Sequence, residues 1–240
     1  PFKKSLWLPD QTTGHRLMHQ LLLRLMHCIP VGNVEITAAD PLRLGTSLDP
    51  FLSLLKVRRL FPEQRLLTRS DELENALARL TDYVEDLLQN KFKGEIKSWS
   101  AYNEANSSNP IPYKLLLIFE VPEQLTDKSL WYLGRLLEHG PVCGVLPVLT
   151  IDEDRLEDRK FTGLRTAIDK YSKRMDSIVP AEILTKHVSE ISVVEEQEFW
   201  PGRSELANFL ASISDRYEQS SKFSKSLTDL WCNSDYWEHD

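Results

Sequence analysis

Tyr113-Lys114-Leu115-Leu116-Leu117-Ile118-Phe119-Glu120-Val121-Pro122 decides how the rest of the chain is read. Its centre is apolar without alternation, it is short enough for a strand, and it ends in a single carboxylate. A strand covered by helices on both faces needs such a run, because neither face meets water, and strands of that kind belong to parallel sheets. Residues 2–8 and 34–39 also read as strands, and 143–149 as another apolar strand run. Helical periodicity lies between them. Met18, Leu21, Leu22, Leu25 and Ile29 share one face of residues 15–29. Leu73, Leu77, Leu80, Val84, Leu87 and Leu88 do so in a long helix to about residue 90, with Thr68-Arg69-Ser70-Asp71 fitting a capping box. Residues 127–139 stop at Gly140-Pro141, a helix-ending pair. Parallel neighbours require crossovers, so the alternation predicts an α/β fold: an open, mostly parallel sheet in three layers, with helices on both faces.

The remaining segments are less regular. Residues 41–67 read as irregular with a helical pattern near 51–56, 100–112 as a loop, and 154–175 as a charged surface helix. Val188, Ile191 and Val193 alternate as in an edge strand within 182–194, and a last helix spans 203–222 after Pro201-Gly202. The aromatic tail Trp231-Cys232-Asn233-Ser234-Asp235-Tyr236-Trp237 has no periodicity. The expected division is residues 1–180 as one domain and 181–240 as a C-terminal helix and linker.

With 240 residues, 41% apolar and 27% charged, the chain can bury a substantial core. It contains no run of 18 apolar residues and no signal peptide, so a cytoplasmic protein with no membrane segment is expected. The net charge of -7 argues against a free-standing nucleic-acid binder. Cys28, Cys143 and Cys232 are odd in number and far apart, which suits a reducing compartment and gives no metal-ligand spacing. A chain that starts at Pro1 reads as a piece of something longer.

Four strand ends, taken in order, resemble the FtsK/SpoIIIE/HerA class of P-loop motor domains. They are Pro9-Asp10-Gln11-Thr12-Thr13-Gly14-His15-Arg16 after the first strand, Asp40-Pro41 after the second, Phe119-Glu120 after the third and Thr150-Ile151-Asp152 after the fourth. The segment from Leu136 to Thr150 is especially close to the helix-turn-strand of that class, and the likeness covers about residues 3–152. It implies a P-loop or RecA-like domain of a bacterial, ATP-driven DNA translocase. The relict nucleotide pocket would then involve Gly14, His15, Arg16 and Thr150, with Glu120 in the place of the water-activating carboxylate. The departures point to lost chemistry. Pro9 stands where the first glycine would give an amide, His15 replaces the phosphate-binding Lys, Arg16 the magnesium-binding hydroxyl and Phe119 the metal-binding Asp. The expected function is a non-catalytic assembly or regulatory domain of a larger FtsK-type ATPase, with no metal and no cofactor of its own. ATP and magnesium would serve the parent protein, and the partners would be its other domains, a homo-oligomeric ring and, through the parent, DNA. Two alternatives stay open: a weak ATPase using Glu120 and Arg16, and a stand-alone protein-interaction adaptor.

Other residues carry less. His15, His19 and Arg16 at a helix start suit an anion, yet also a solvated basic face, and His15, His19 and His27 have no nearby Cys or carboxylate to complete a zinc set. Ser5, Ser47 and Ser129 lack a nucleophile-elbow context and Cys143 sits in an apolar run. Lys56-Val57-Arg58-Arg59 and 170–174, with Tyr171, read as solvated charge, and Trp231, Tyr236 and Trp237 as docking aromatics.

Overall fold

A computed structural model describes residues 3–9, 12–175 and 201–232. Five strands form one sheet: β1 (Ser5–Pro9), β2 (Val34–Ala39), β3 (Tyr113–Val121), β4 (Val145–Ile151) and β5 (Ser172–Arg174). Their order is β2-β3-β4-β1-β5, and every pairing is parallel. The helices are α1 (Thr12–Cys28), α2 (Ser70–Asp86), α3 (Trp99–Ala105), α4 (Asp127–His139), α5 (Glu153–Leu156), α6 (Thr162–Tyr171) and α7 (Arg203–Cys232). The two central strands are buried along almost their whole length, as their unbroken apolar sequences require.

The side-chain period of two splits each central strand between two cores. Leu115, Leu117 and Phe119 of β3 join α1, the segment 48–61 and the first half of α7, whereas Leu116, Ile118 and Val121 join α2, α4 and α6. That division makes the three layers expected of the sequence. Leu206, Leu210, Ile213 and Tyr217 of α7 are buried in the first core, so residues 203–217 pack on the sheet domain. The expected boundary near 180 and the alternating residues of 182–194 lie outside the described residues.

Local corrections have local causes. The fourth strand starts at Val145, because Cys143 closes a 3₁₀ turn and Gly144 adopts φ 74°. A methyl there would lie 2.3 Å from Cδ1 of Trp99, so only glycine fits. Residues 100–105, part of the stretch 100–112 read as loop, belong to α3, which is capped by the Ser98 hydroxyl accepting from the Ala101 N–H at 3.3 Å. Seven residues are too few to display a periodicity. The charged helix expected over 154–175 is broken into α5, a 3₁₀ turn and α6, and residues 172–174 leave it as β5. Irregular 41–67 contains a 3₁₀ helix at Thr46–Leu54. The expected capping box does not form: Arg69 holds the N-cap with no side-chain bond, and Glu72 accepts from the Thr68 N–H at 3.3 Å.

Candidate functional site

The carboxyl ends of β1, β4 and β3 lie side by side, so that Leu8 is opposite Thr150 and Ile118 opposite Leu149. β1 and β3 are therefore two strand spacings apart, roughly 10 Å. In open α/β sheets this edge is where ligands bind.

β1 ends at Pro9 and α1 begins at Thr12, leaving two residues between them. A methyl on Gly14 would meet the Pro9 carbonyl oxygen at 1.9 Å, so the first turn of α1 lies against the end of β1 at a distance only glycine allows. One residue on, the His15 ring meets the Phe119 ring edge to face, with centroids 5.4 Å apart. Phe119 is buried in the core that α1 shares with β3.

On the β3 side the pairing with β4 shifts by one residue between Ile118 and Val121. The extra residue is Glu120, which takes φ 58°, a left-handed conformation uncommon outside glycine. Such a bulge removes an N–H from the ladder. Here the Thr150 hydroxyl, fully buried, accepts it at 2.8 Å. The Glu120 side chain, 3% exposed, pairs with the guanidinium of Arg43. Arg43 arrives from the turn that follows β2. Asp40, with no exposure, accepts from the N–H groups of Arg43 at 3.2 Å and Ser47 at 3.0 Å. At the end of β4, Asp152 caps α5 by accepting from the Arg155 N–H at 3.1 Å.

The residues singled out in the sequence are thus partly assembled. Glu120 and Thr150 are hydrogen-bonded, His15 reaches β3 through Phe119, Gly14 lies against Pro9, and Arg16 follows His15 in α1. Arg43 was not singled out, and nothing local marks it, since its partner stands on another strand. His19, which suited either an anion or a solvated basic face, is instead drawn inward: its Nε2 lies 2.6 Å from the Ser47 carbonyl and its ring tilts onto Phe51 at 5.3 Å. Burial lowers its pKa below the usual 6.5, against the bond to Ser47, which raises it, and with His15 adding a smaller lowering.

Elsewhere the candidate groups are structural. The Ser5 hydroxyl donates to the Leu137 carbonyl at 3.3 Å, Ser129 belongs to the α4 cap, and burial pushes the Cys143 thiol up to about 12. Lys170 sits over the Tyr171 ring, and Arg174 lies over Trp7 while pairing with Glu153 at 2.7 Å. Lys56, Arg58 and Arg59 are exposed. No group of three or more His, Cys, Asp or Glu placed to hold a metal occurs among the described residues, and none of the described helices is long and apolar enough to cross a membrane. Tyr236 and Trp237 lie outside the described residues. A cavity of about 210 Å³ opens away from the carboxyl edge, between β2 and α2, lined by Glu35, Thr37, Glu63, Arg79, Tyr83 and Lys114 among others.

The sequence matches no protein-family model and no curated protein. Solved structures do resemble the fold. The cytoplasmic domain of EssC superposes with a TM-score of 0.59 at 13% identity, over 99% of this chain and 51% of that one. The fold is that of a P-loop domain of the FtsK/SpoIIIE type. Thermomonospora curvata EccC, ATPases 2 and 3 in complex with a signal sequence peptide, gives 0.58 at 14% identity over 88% of this chain and 42% of that one. The pCW3 conjugation coupling protein TcpA, in its monomer form with ATPγS, gives 0.51 at 14% identity over 69% and 47%. The chain spans about half the length of the structures it matches.

Proposed function

We propose that this chain is a non-catalytic P-loop-fold domain, an assembly or regulatory module of a larger FtsK-type ATPase of the DNA-translocase kind. The observation that carries the reading is the packing of His15 on Phe119 where α1 meets β3. Magnesium ATP needs a lysine and a hydroxyl from the helix start and a metal-binding carboxylate from the strand end. Those places hold an imidazole, a guanidinium and a phenyl ring, two of them packed on each other. These residues do not fit magnesium ATP. The likeness to parts of larger ATPases supports a place beside other domains of one bacterial, cytoplasmic protein. ATP, magnesium and DNA would then be handled by the other domains, and copies of the whole would form the ring.

Each lost charge-assisted contact costs about 1.5 to 3 kcal/mol, and several together move a micromolar affinity to roughly millimolar or weaker. Titration calorimetry of the 240-residue chain with ATP and magnesium is expected to detect no binding below roughly that range. His15→Lys with Arg16→Thr should not create turnover while Phe119 remains. Magnesium-dependent ATP hydrolysis by the unaltered chain, abolished by Glu120→Gln, would overturn the proposal in favour of a weak ATPase.

A further inference from the structure

Sheet and helix do not close on each other at the β2 edge. Val34 and Ile36 join the first core, whereas Glu35 and Thr37 alternate with them and line the cavity together with α2. From α2 comes Ala76, too small to fill the gap. The resulting space of about 210 Å³ holds roughly seven waters and lies below the roughly 300 Å³ at which sites for drug-sized ligands begin, so it suits a very small molecule and not a nucleotide. Its polar groups are not saturated. Glu35 and Lys114 occupy paired positions on β2 and β3 and form an ion pair, and Arg79 of α2 pairs with Glu63. Lys114 and Arg79 each have more N–H groups than one carboxylate takes. The Lys114 ammonium also lies 4.8 Å from the centre of the Tyr83 ring. The Tyr83 hydroxyl is buried and has no hydrogen-bond partner among the described residues. Burial first and the Glu35 charge second raise its pKa, so it is a neutral donor. An unmet buried hydroxyl on the wall of a charged cavity calls for an occupant.

We propose that this cavity binds a small zwitterion, of the class of the free α-amino acids. Its carboxylate accepts from Lys114 and the Tyr83 hydroxyl, its ammonium meets Glu63, and its side chain lies on Pro62 and Leu80. Charge selects this class. The lining carries Glu35 and Glu63 against Lys114 and Arg79, which cancel. A simple anion would compete with Glu35 for Lys114 and be repelled by Glu63, and a simple cation would meet the reverse. A molecule with both charges is attracted at each end and leaves neither ion pair without a partner. The site is made by β2, β3, α2 and the segment just before α2, so it is independent of the non-catalytic reading of the carboxyl edge.

Amide NMR titration of the full 240-residue chain with the common α-amino acids, one at a time, tests the site. At least one should shift the N–H signals of 35–37, 76–83 and 113–115, with a Kd of about 1 mM or tighter. Tyr83→Phe keeps the ring beside Lys114 and should weaken that amino acid about tenfold, the loss of one hydrogen bond to a charged group. Thr37→Leu fills the gap and should abolish the shifts while the melting temperature holds. The N-acetylated and the amidated forms of the same amino acid, each lacking one charge, should bind at least about tenfold more weakly. No shift with any amino acid up to about 10 mM would mean that the cavity holds water alone and would overturn the proposal. So would shifts that map elsewhere, shifts that persist unchanged in both variants, or acetate or a capped form binding as tightly as the free amino acid.

Discussion

The crevice at the carboxyl edge of the sheet and the cavity between β2 and α2 are both lined with charge, but they hold it differently. In the crevice the carboxylate of Glu120 is 3% exposed and its partner Arg43 half in solvent. In the cavity Lys114 and Glu35 pair across neighbouring strands with 21% and 30% exposure, and Arg79 pairs with Glu63 nearer the rim. Water can take over the role of a lost partner in the cavity and cannot do so at Glu120. The number of charges does not separate the two regions; the desolvation of one member does, because an uncompensated buried charge costs far more than a half-wet pair contributes. The Tyr83 hydroxyl on the cavity wall is buried with no hydrogen-bond partner among the described residues.

The sharpest test of this contrast is Arg43→Ala, which removes one charged partner of the buried Glu120 and should cost about 3 kcal/mol by chemical denaturation, with Arg43→Ala/Glu120→Gln recovering most of it. Failure of the second change to rescue would place the cost in the turn and not in the charge. Gly14→Ala forces a methyl against the Pro9 carbonyl, so a loss of about 2 kcal/mol is expected from the shift of α1 away from β1. His19 adds a pH dependence to the crevice side. Its folded pKa lies below 6.5, so the unfolded chain binds the extra proton first, and stability should fall as pH drops from 6.5 toward the lowered value. His19→Gln should flatten that slope in thermal melts taken across the window. Lys114→Ala in the cavity should cost less than about 1 kcal/mol and weaken in its effect as salt rises. Smallest of all, Tyr83→Phe removes an unpaired buried hydroxyl and should change stability by under about 0.5 kcal/mol, with an unchanged or higher melting temperature. A large loss there would mean that the cavity holds an ordered partner for that group.

Much of the architecture was legible because burial on two faces writes itself into consecutive residues. Leu115 to Phe119 and Val145 to Leu149 have no polar member, and the helices between them repeat every three to four residues. What escaped the sequence was short or bent. α3 has seven residues and no buried one, and the charged stretch after Asp152 satisfies several short elements as readily as one long helix. At the site, Glu120 was readable because an apolar run that ends in a carboxylate marks where a strand leaves the core, whereas Gly14 and Thr150 stood out only through the resemblance of the strand ends to P-loop motors. Arg43 was not, since one arginine in a Pro- and Leu-rich turn looks like any solvated charge.

The sequence by itself determined that buried parallel strands alternate with amphipathic helices. Only the tertiary structure decided that the strands run β2-β3-β4-β1-β5, that the extra residue of β3 is Glu120, and that the turn after β2 lands Arg43 on it. The reason is physical. Periodicity and composition record how each segment meets water, which is a local property, whereas the partner of a buried charge depends on which strands become neighbours and on where the intervening loops come to rest.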